Sequence, residues 1–149
     1  MDVPPFVRRV PLDLLENEAR ILYKAAMSAS QNALVKISGL AVGAALSTQE
    51  GKVFMGCNVE SDAFSPTSCA EVVACDKAIS EGYMNFSSLA LFSHDREEKG
   101  RDSQPISPCG RCRQKLLEVS DMEVIMTARN CSEAWVCLLS TLLPLPFRL

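Results

Sequence analysis

The hydrophobic pattern of this chain switches between helical and strand-like periods, and that alternation restricts it to folds in which helices cover a sheet. Over residues 11–32, Leu15, Ala19, Leu22, Ala26 and Ala29 recur every three to four positions between Glu16, Glu18, Arg20 and Lys24, which predicts an amphipathic helix. Residues 40–47 and 52–59 flank Thr48-Gln49-Glu50-Gly51 and read as antiparallel strands, with Gly51 supplying positive φ in the turn. A run of helix formers over 69–81, closed by Gly82, predicts a second helix. Pro108 opens a third over 109–119. Short apolar runs at 87–92, 122–127 and 134–139 supply the remaining strands, and the charged stretch 94–104, with Asp95-Arg96-Glu97-Glu98-Lys99, reads as a solvated loop. The order predicts an α/β three-layer sandwich, a mixed five-stranded sheet with helices on both faces. At 149 residues the chain has the length of one domain, spanning 1–149.

Charge and cysteine usage narrow the chemistry. Fifteen Lys and Arg against eighteen Asp and Glu leave a net charge of -3, which argues against a protein that grips many phosphates of a nucleic acid and leaves small neutral ligands open. The N-terminal MDVPPFVRRVPLD has no apolar stretch of the kind a secretory signal carries. The apolar cluster from Trp135 to Leu143, broken by Ser140 and Thr141, falls short of the ~20 residues of a membrane helix. A cytoplasmic, reducing environment is the expectation, with no membrane partner. Seven cysteines beside one histidine, an odd count, point away from a complete disulfide set and toward metal binding or thiol chemistry.

Three of those cysteines begin predicted helices: Cys69 the second, Cys109 and Cys112 the third. A helix N-terminus stabilises thiolate over thiol, and thiolate is the form that binds metal. Cys109 and Cys112, three positions apart, project from one helix face, so both sulfurs can reach one ion. The pair alone fits a redox dithiol or ordinary core packing as well as a metal site. Upstream lies Cys69-Ala70-Glu71, and the order ligand-x-Glu followed by Pro108-Cys109-Gly110-Arg111-Cys112 resembles that of zinc deaminases. Three ligands leave a fourth tetrahedral position for water, whose pKa zinc lowers from about 15.7 to about 7. Glu71 is the candidate proton shuttle. A structural zinc would need a fourth ligand from among Cys57, Cys75, Cys131, Cys137 and His94, none of which forms a second ligand pair.

From about Val42 to Phe147 the chain resembles the cytidine deaminase family. Val42-Gly43-Ala44-Ala45-Leu46 is similar to the family's first strand, and Gly56-Cys57-Asn58-Val59-Glu60 to its ribose-binding segment. Cys69-Ala70-Glu71 and the stretch from Ser107 to Gln114 match the zinc and proton-shuttle motifs. The resemblance implies one Zn2+ per subunit on Cys69, Cys109 and Cys112, with Glu71 catalytic. It also implies sugar contacts from Asn58 and Glu60, base contacts from Leu40 and Ala70, and Phe147 lent to a neighbouring pocket in a homotetramer, with a dimer as the alternative. The implied reaction is hydrolytic deamination of free cytidine or deoxycytidine to the uracil nucleoside and ammonia, in pyrimidine salvage. Two departures stand out. Leu40 takes the place of an aromatic that stacks on the base, and Val72 that of an arginine that offsets thiolate charge, for which Arg111 is a candidate substitute. The second departure resembles blasticidin S deaminases, so a modified cytosine nucleoside is the alternative substrate. A catalytically silent, zinc-containing nucleoside-binding protein is the alternative of another class.

Overall fold

Successive residues of a strand face opposite sides of its sheet, and strand β4 (Phe86–Asp95) divides its side chains between two separate cores. The computed structural model describes residues 3–149. Leu89 and Leu91 face a core shared with helices α2 (Ala70–Ser80) and α3 (Gly110–Val119), whereas Ala90 and Phe92 face a second core under helix α1 (Asn17–Ser30). The neighbouring strand β2 (Leu40–Thr48) repeats the division, with Ala44 and Leu46 toward α2 and Ala45 toward α1. These are the three layers that the sequence predicts.

Among the described residues the sheet has six strands, not five, in the order β1-β6-β5-β4-β2-β3. The additional strand is β1 (Arg8–Pro11), which pairs antiparallel with β6 (Glu133–Leu138) at one edge. Four residues without apolar alternation carry no strand signal, and Pro11, lacking an N–H, is tolerated only because the strand is at an edge. The predicted first helix accordingly begins later: residues 12–14 form a 3-10 turn and α1 starts at Asn17. Strand β3 (Val53–Cys57) closes the other edge as a hairpin with β2, and Gly51 in the turn has φ +83. Gly82, at φ +91, follows the end of α2. Among the described residues no helix is long and apolar enough to cross a membrane.

Strand directions decide where the two cysteine-bearing helices begin. β4 pairs parallel with β5 (Glu123–Ala128), and β2 is antiparallel to both β3 and β4, so β3, β4 and β5 run the same way. α2 follows the carboxyl end of β3 and α3 that of β4, and both lie on the same face. Their N-termini therefore meet beyond one end of the sheet, where open α/β folds place ligands. Gly56 lets α2 settle onto β3: a Cβ there would sit 2.4 Å from the Ala70 carbonyl oxygen and 2.6 Å from the Ala74 nitrogen. An ion pair of 2.7 Å between Lys115 and Asp76 joins α3 to α2.

The charged stretch is less solvated than its composition suggests. Asp95 and Asp102 are buried. Arg101 donates to both Asp95 carboxylate oxygens, at 2.7 and 3.2 Å, and holds that carboxyl far below the usual range. Asp102 in turn accepts from the Asp95 backbone and from Asn130. The mixed charges along Asp95-Arg96-Glu97-Glu98-Lys99 gave no sign of this pairing, because it is made across the loop to Arg101.

Candidate metal centre

Cys69 and Cys109 are the N-cap residues of α2 and α3, both extended, at φ -75, ψ 151 and φ -67, ψ 165. Neither thiol caps its own helix, so both sulfurs are available to an ion. Cys112 lies within the first turn of α3, on the same side as Cys109. The Sγ atoms of Cys69 and Cys109 are 3.9 Å apart, those of Cys109 and Cys112 3.5 Å, and all three lie within 4.8 Å of one another. A tetrahedral zinc with sulfurs at ~2.3 Å requires separations of about 3.8 Å. The donor set fits zinc in number, chemistry and spacing.

Among the described residues no fourth histidine, cysteine or carboxylate joins this group, which leaves a tetrahedral ion one open position. Cys75 and Cys137 are core residues, Cys57 packs against a small core beside β2, and Cys131 bonds to the Ala128 backbone. His94 lies on β4 against Arg129, away from the cluster.

The surroundings favour thiolate at Cys69. Its pKa is drawn down to about 6, first by the hydrogen bond with Cys112, against the opposing effect of burial, and further by Cys109 and by the charge of Arg111. The same pairing pushes the Cys112 thiol up, and burial adds to it. Arg111 is exposed and donates to the Thr67 carbonyl at 3.2 Å, which keeps its charge beside Cys69, while Val72 is part of the core.

Glu71 is buried, 5% exposed, in the first turn of α2. Burial is the main reason its pKa rises from 4.5 to about 7, with the neighbouring Cys69 thiolate adding and the Cys112 thiol opposing. A carboxyl that titrates near neutrality can both take and return a proton there. The shift also has a cost. Because the folded-state pKa lies above the unfolded one, the contribution of this carboxyl to stability is fully present below pH 4.5, falls as pH rises, and is lost above about pH 7. Glu71→Gln cannot ionise, so metal-free Glu71→Gln is expected to exceed metal-free wild type in stability at pH 8.5 by about 3 kcal/mol. Urea titrations should show that difference closing between pH 7 and pH 4.5.

The other predicted site residues are distributed unevenly. Asn58 is tied to β2: its Oδ1 accepts from the Val42 N–H at 2.8 Å and its Nδ2 donates to the Leu40 carbonyl at 3.0 Å. Each end of that amide keeps one further hydrogen-bonding site. Glu60 Oε2 accepts from the backbone of Ile37 and Ser38 at 2.7 and 3.1 Å, leaving Oε1 with one weak contact of 3.3 Å. Burial opposes ionisation of Glu60, but these hydrogen bonds outweigh it and hold the carboxyl below its ordinary value. Leu40 is half-buried at the start of β2, and Ala70, fully buried, is the first residue of α2. Phe147 is two-thirds exposed, its backbone N–H and carbonyl both paired with the Gln114 side chain at 3.0 Å, so its ring faces outward from a fixed backbone.

Sequence reasoning missed Arg113. It donates to Ser107, to the Pro108 carbonyl and to the Leu142 carbonyl, at 2.8, 2.7 and 3.0 Å, bracing the loop that carries Cys109 against the C-terminal segment. Its position directly after Cys112 was the available signal.

Three converging thiols with a buried glutamic acid alongside, at the carboxyl end of a mixed sheet, define a metal-binding α/β domain with an open coordination position. The family model described as the cytidine and deoxycytidylate deaminase zinc-binding region matches residues 16–128, and the chain belongs to that family. A cytidine deaminase of Sporosarcina psychrophila is 42% identical over 90 residues, covering 60% of this chain and 61% of the relative. A probable cytidine deaminase of Dictyostelium discoideum is 41% identical over 101 residues, covering 68% and 65%. The chain thus spans somewhat under two thirds of the length of these two relatives. The crystal structure of cytidine deaminase from Burkholderia pseudomallei superposes with a TM-score of 0.77 at 34% identity, covering 89% of this chain and all of that one.

Proposed function

We propose that this chain is a single catalytic domain, spanning 1–149, that deaminates free cytidine and deoxycytidine hydrolytically to the uracil nucleosides and ammonia. The observation that carries the reading is the buried Glu71 two residues beyond Cys69, beside a three-thiol cluster with no fourth ligand among the described residues. Cys69, Cys109 and Cys112 would hold one zinc ion. When bound, zinc acts as a Lewis acid that makes water nucleophilic at neutral pH. Glu71 takes a proton from the attacking water, delivers it to the ring nitrogen next to C4, and passes the second proton to the departing amino group, so that water and cytidine balance against uridine and ammonia. Arg111 offsets part of the thiolate charge.

Glu60, through Oε1, and Asn58, through its unused amide sites, are the sugar contacts in this reading. Leu40 and Ala70 border the base. Phe147, presented outward, reaches the pocket of a neighbouring copy in a homotetramer. The net charge of -3 suits a small diffusing substrate better than a polynucleotide, and the physiological setting is cytoplasmic pyrimidine salvage. A second reading, a modified cytosine nucleoside, is favoured by Val72 with Arg111 and by Leu40, since an aliphatic side chain gives a base no stacking face. Ammonia release by the zinc-loaded protein from cytidine, deoxycytidine, their monophosphates and blasticidin S distinguishes these cases. Turnover of cytidine is expected. Turnover of blasticidin S alone would select the second reading, and ammonia from none of them would leave a silent binding protein.

A further inference from the structure

The charged stretch after β4 makes contacts that the deamination reading leaves unused, and they converge on the segment that holds Glu60. Arg96 lies on the surface, yet its guanidinium donates to the carbonyls of Ala33, Ser30 and Gln31 at 3.0, 3.1 and 2.8 Å, closing the C-terminal end of α1. Its backbone N–H donates to the Gly39 carbonyl at 3.0 Å. The side chain of Glu97 lies over Gly39, where φ is +69 and a Cβ would sit 2.4 Å from the Glu97 Cγ. Gly39 itself donates to the Val35 carbonyl at 3.0 Å. Residues 33–39 are therefore gripped at both ends by Arg96, and between those ends lie the Ile37 and Ser38 amides that fix the Glu60 carboxylate. Ser38 Oγ accepts from the Leu40 N–H at 3.0 Å, which carries the same constraint to the start of β2.

We propose that Arg96 is a positioning residue for the sugar end of the site. By fixing residues 33–39 it sets the Ile37 and Ser38 amides that aim Glu60 Oε1. Three carbonyls arranged around one guanidinium suit the arginine fork, which lysine's single ammonium cannot reproduce. This inference rests on the reading that Glu60 meets the sugar.

Steady-state kinetics of zinc-loaded Arg96→Ala, Arg96→Lys, Glu60→Gln and the double variant Arg96→Ala/Glu60→Gln, with cytidine, test it. Arg96→Ala is expected to raise KM about tenfold with kcat within twofold of wild type, as loss of one orienting contact of ~1.4 kcal/mol would. Arg96→Lys, the variant least apt to disturb folding, should raise KM at least threefold. The double variant should match Glu60→Gln, since Arg96 acts through Glu60. An unchanged KM in Arg96→Lys, a fall in kcat alone, or an Arg96→Ala effect that adds in full to Glu60→Gln overturns the proposal. Amide exchange at Ile37 and Ser38 separates the two readings. If Glu60→Gln leaves KM unchanged, the sugar assignment fails. Arg96 is then judged by exchange alone, which must quicken at least tenfold at both amides in Arg96→Ala while α2 amides keep their rates; unaltered exchange overturns the positioning role as well.

Discussion

Glu71→Gln is expected to keep its full complement of zinc and lose between about a hundredfold and ten-thousandfold in kcat for cytidine, the span over which positioned general acids and bases act. Glutamine is nearly isosteric with the carboxyl, so α2 keeps its start and the cysteine cluster its spacing. What disappears is a group able to accept and release a proton. In the metal-free protein burial already raises that group's pKa to about 7, where both protonation states are accessible at neutral pH. Metal analysis and kinetics on the same preparation make the test decisive. Retained zinc with retained turnover would remove Glu71 from the mechanism, and lost zinc would mean that the carboxyl supports the metal site.

Cys109→Ala should give the opposite pattern, with metal and activity lost together. Among the described residues three sulfurs form the cluster, and Cys109 lies 3.9 Å from Cys69 and 3.5 Å from Cys112. Removing an outer partner of a metal ligand commonly weakens affinity ~10–100-fold, and removal of a ligand should exceed about a hundredfold. Competition with a zinc chelator measures this directly, and undiminished affinity would exclude Cys109 as a ligand. The fold should persist, because Cys109 is exposed and belongs to neither core, whereas Cys112 is part of the core under α2 and α3 and Cys69 packs against it.

The metal site was legible because its chemistry is compressed into two short motifs whose helix-start positions follow from local rules. Gly82 and Gly51 were legible for the same reason, each required by its own turn. Features built by contacts distant in sequence were not. Strand β1 exists only through its pairing with β6, and nothing within residues 8–11 announces it. Arg96 reads as one charge among several until α1 and β4 are placed side by side, when it proves to bind three carbonyls some 65 residues upstream. Asn58 and Glu60 were found as motif residues, but their backbone partners on β2 and in the preceding turn follow only from the sheet register.

Serine is among the strongest residues for beginning a helix, worth about 1 kcal/mol over a residue that cannot cap. Cys69 and Cys109 occupy such positions in suitable backbone conformation without capping. Exchanging one sulfur for oxygen would therefore firm up the metal-free fold while destroying its affinity for zinc. Folding stability and metal capture pull against each other at two single atoms.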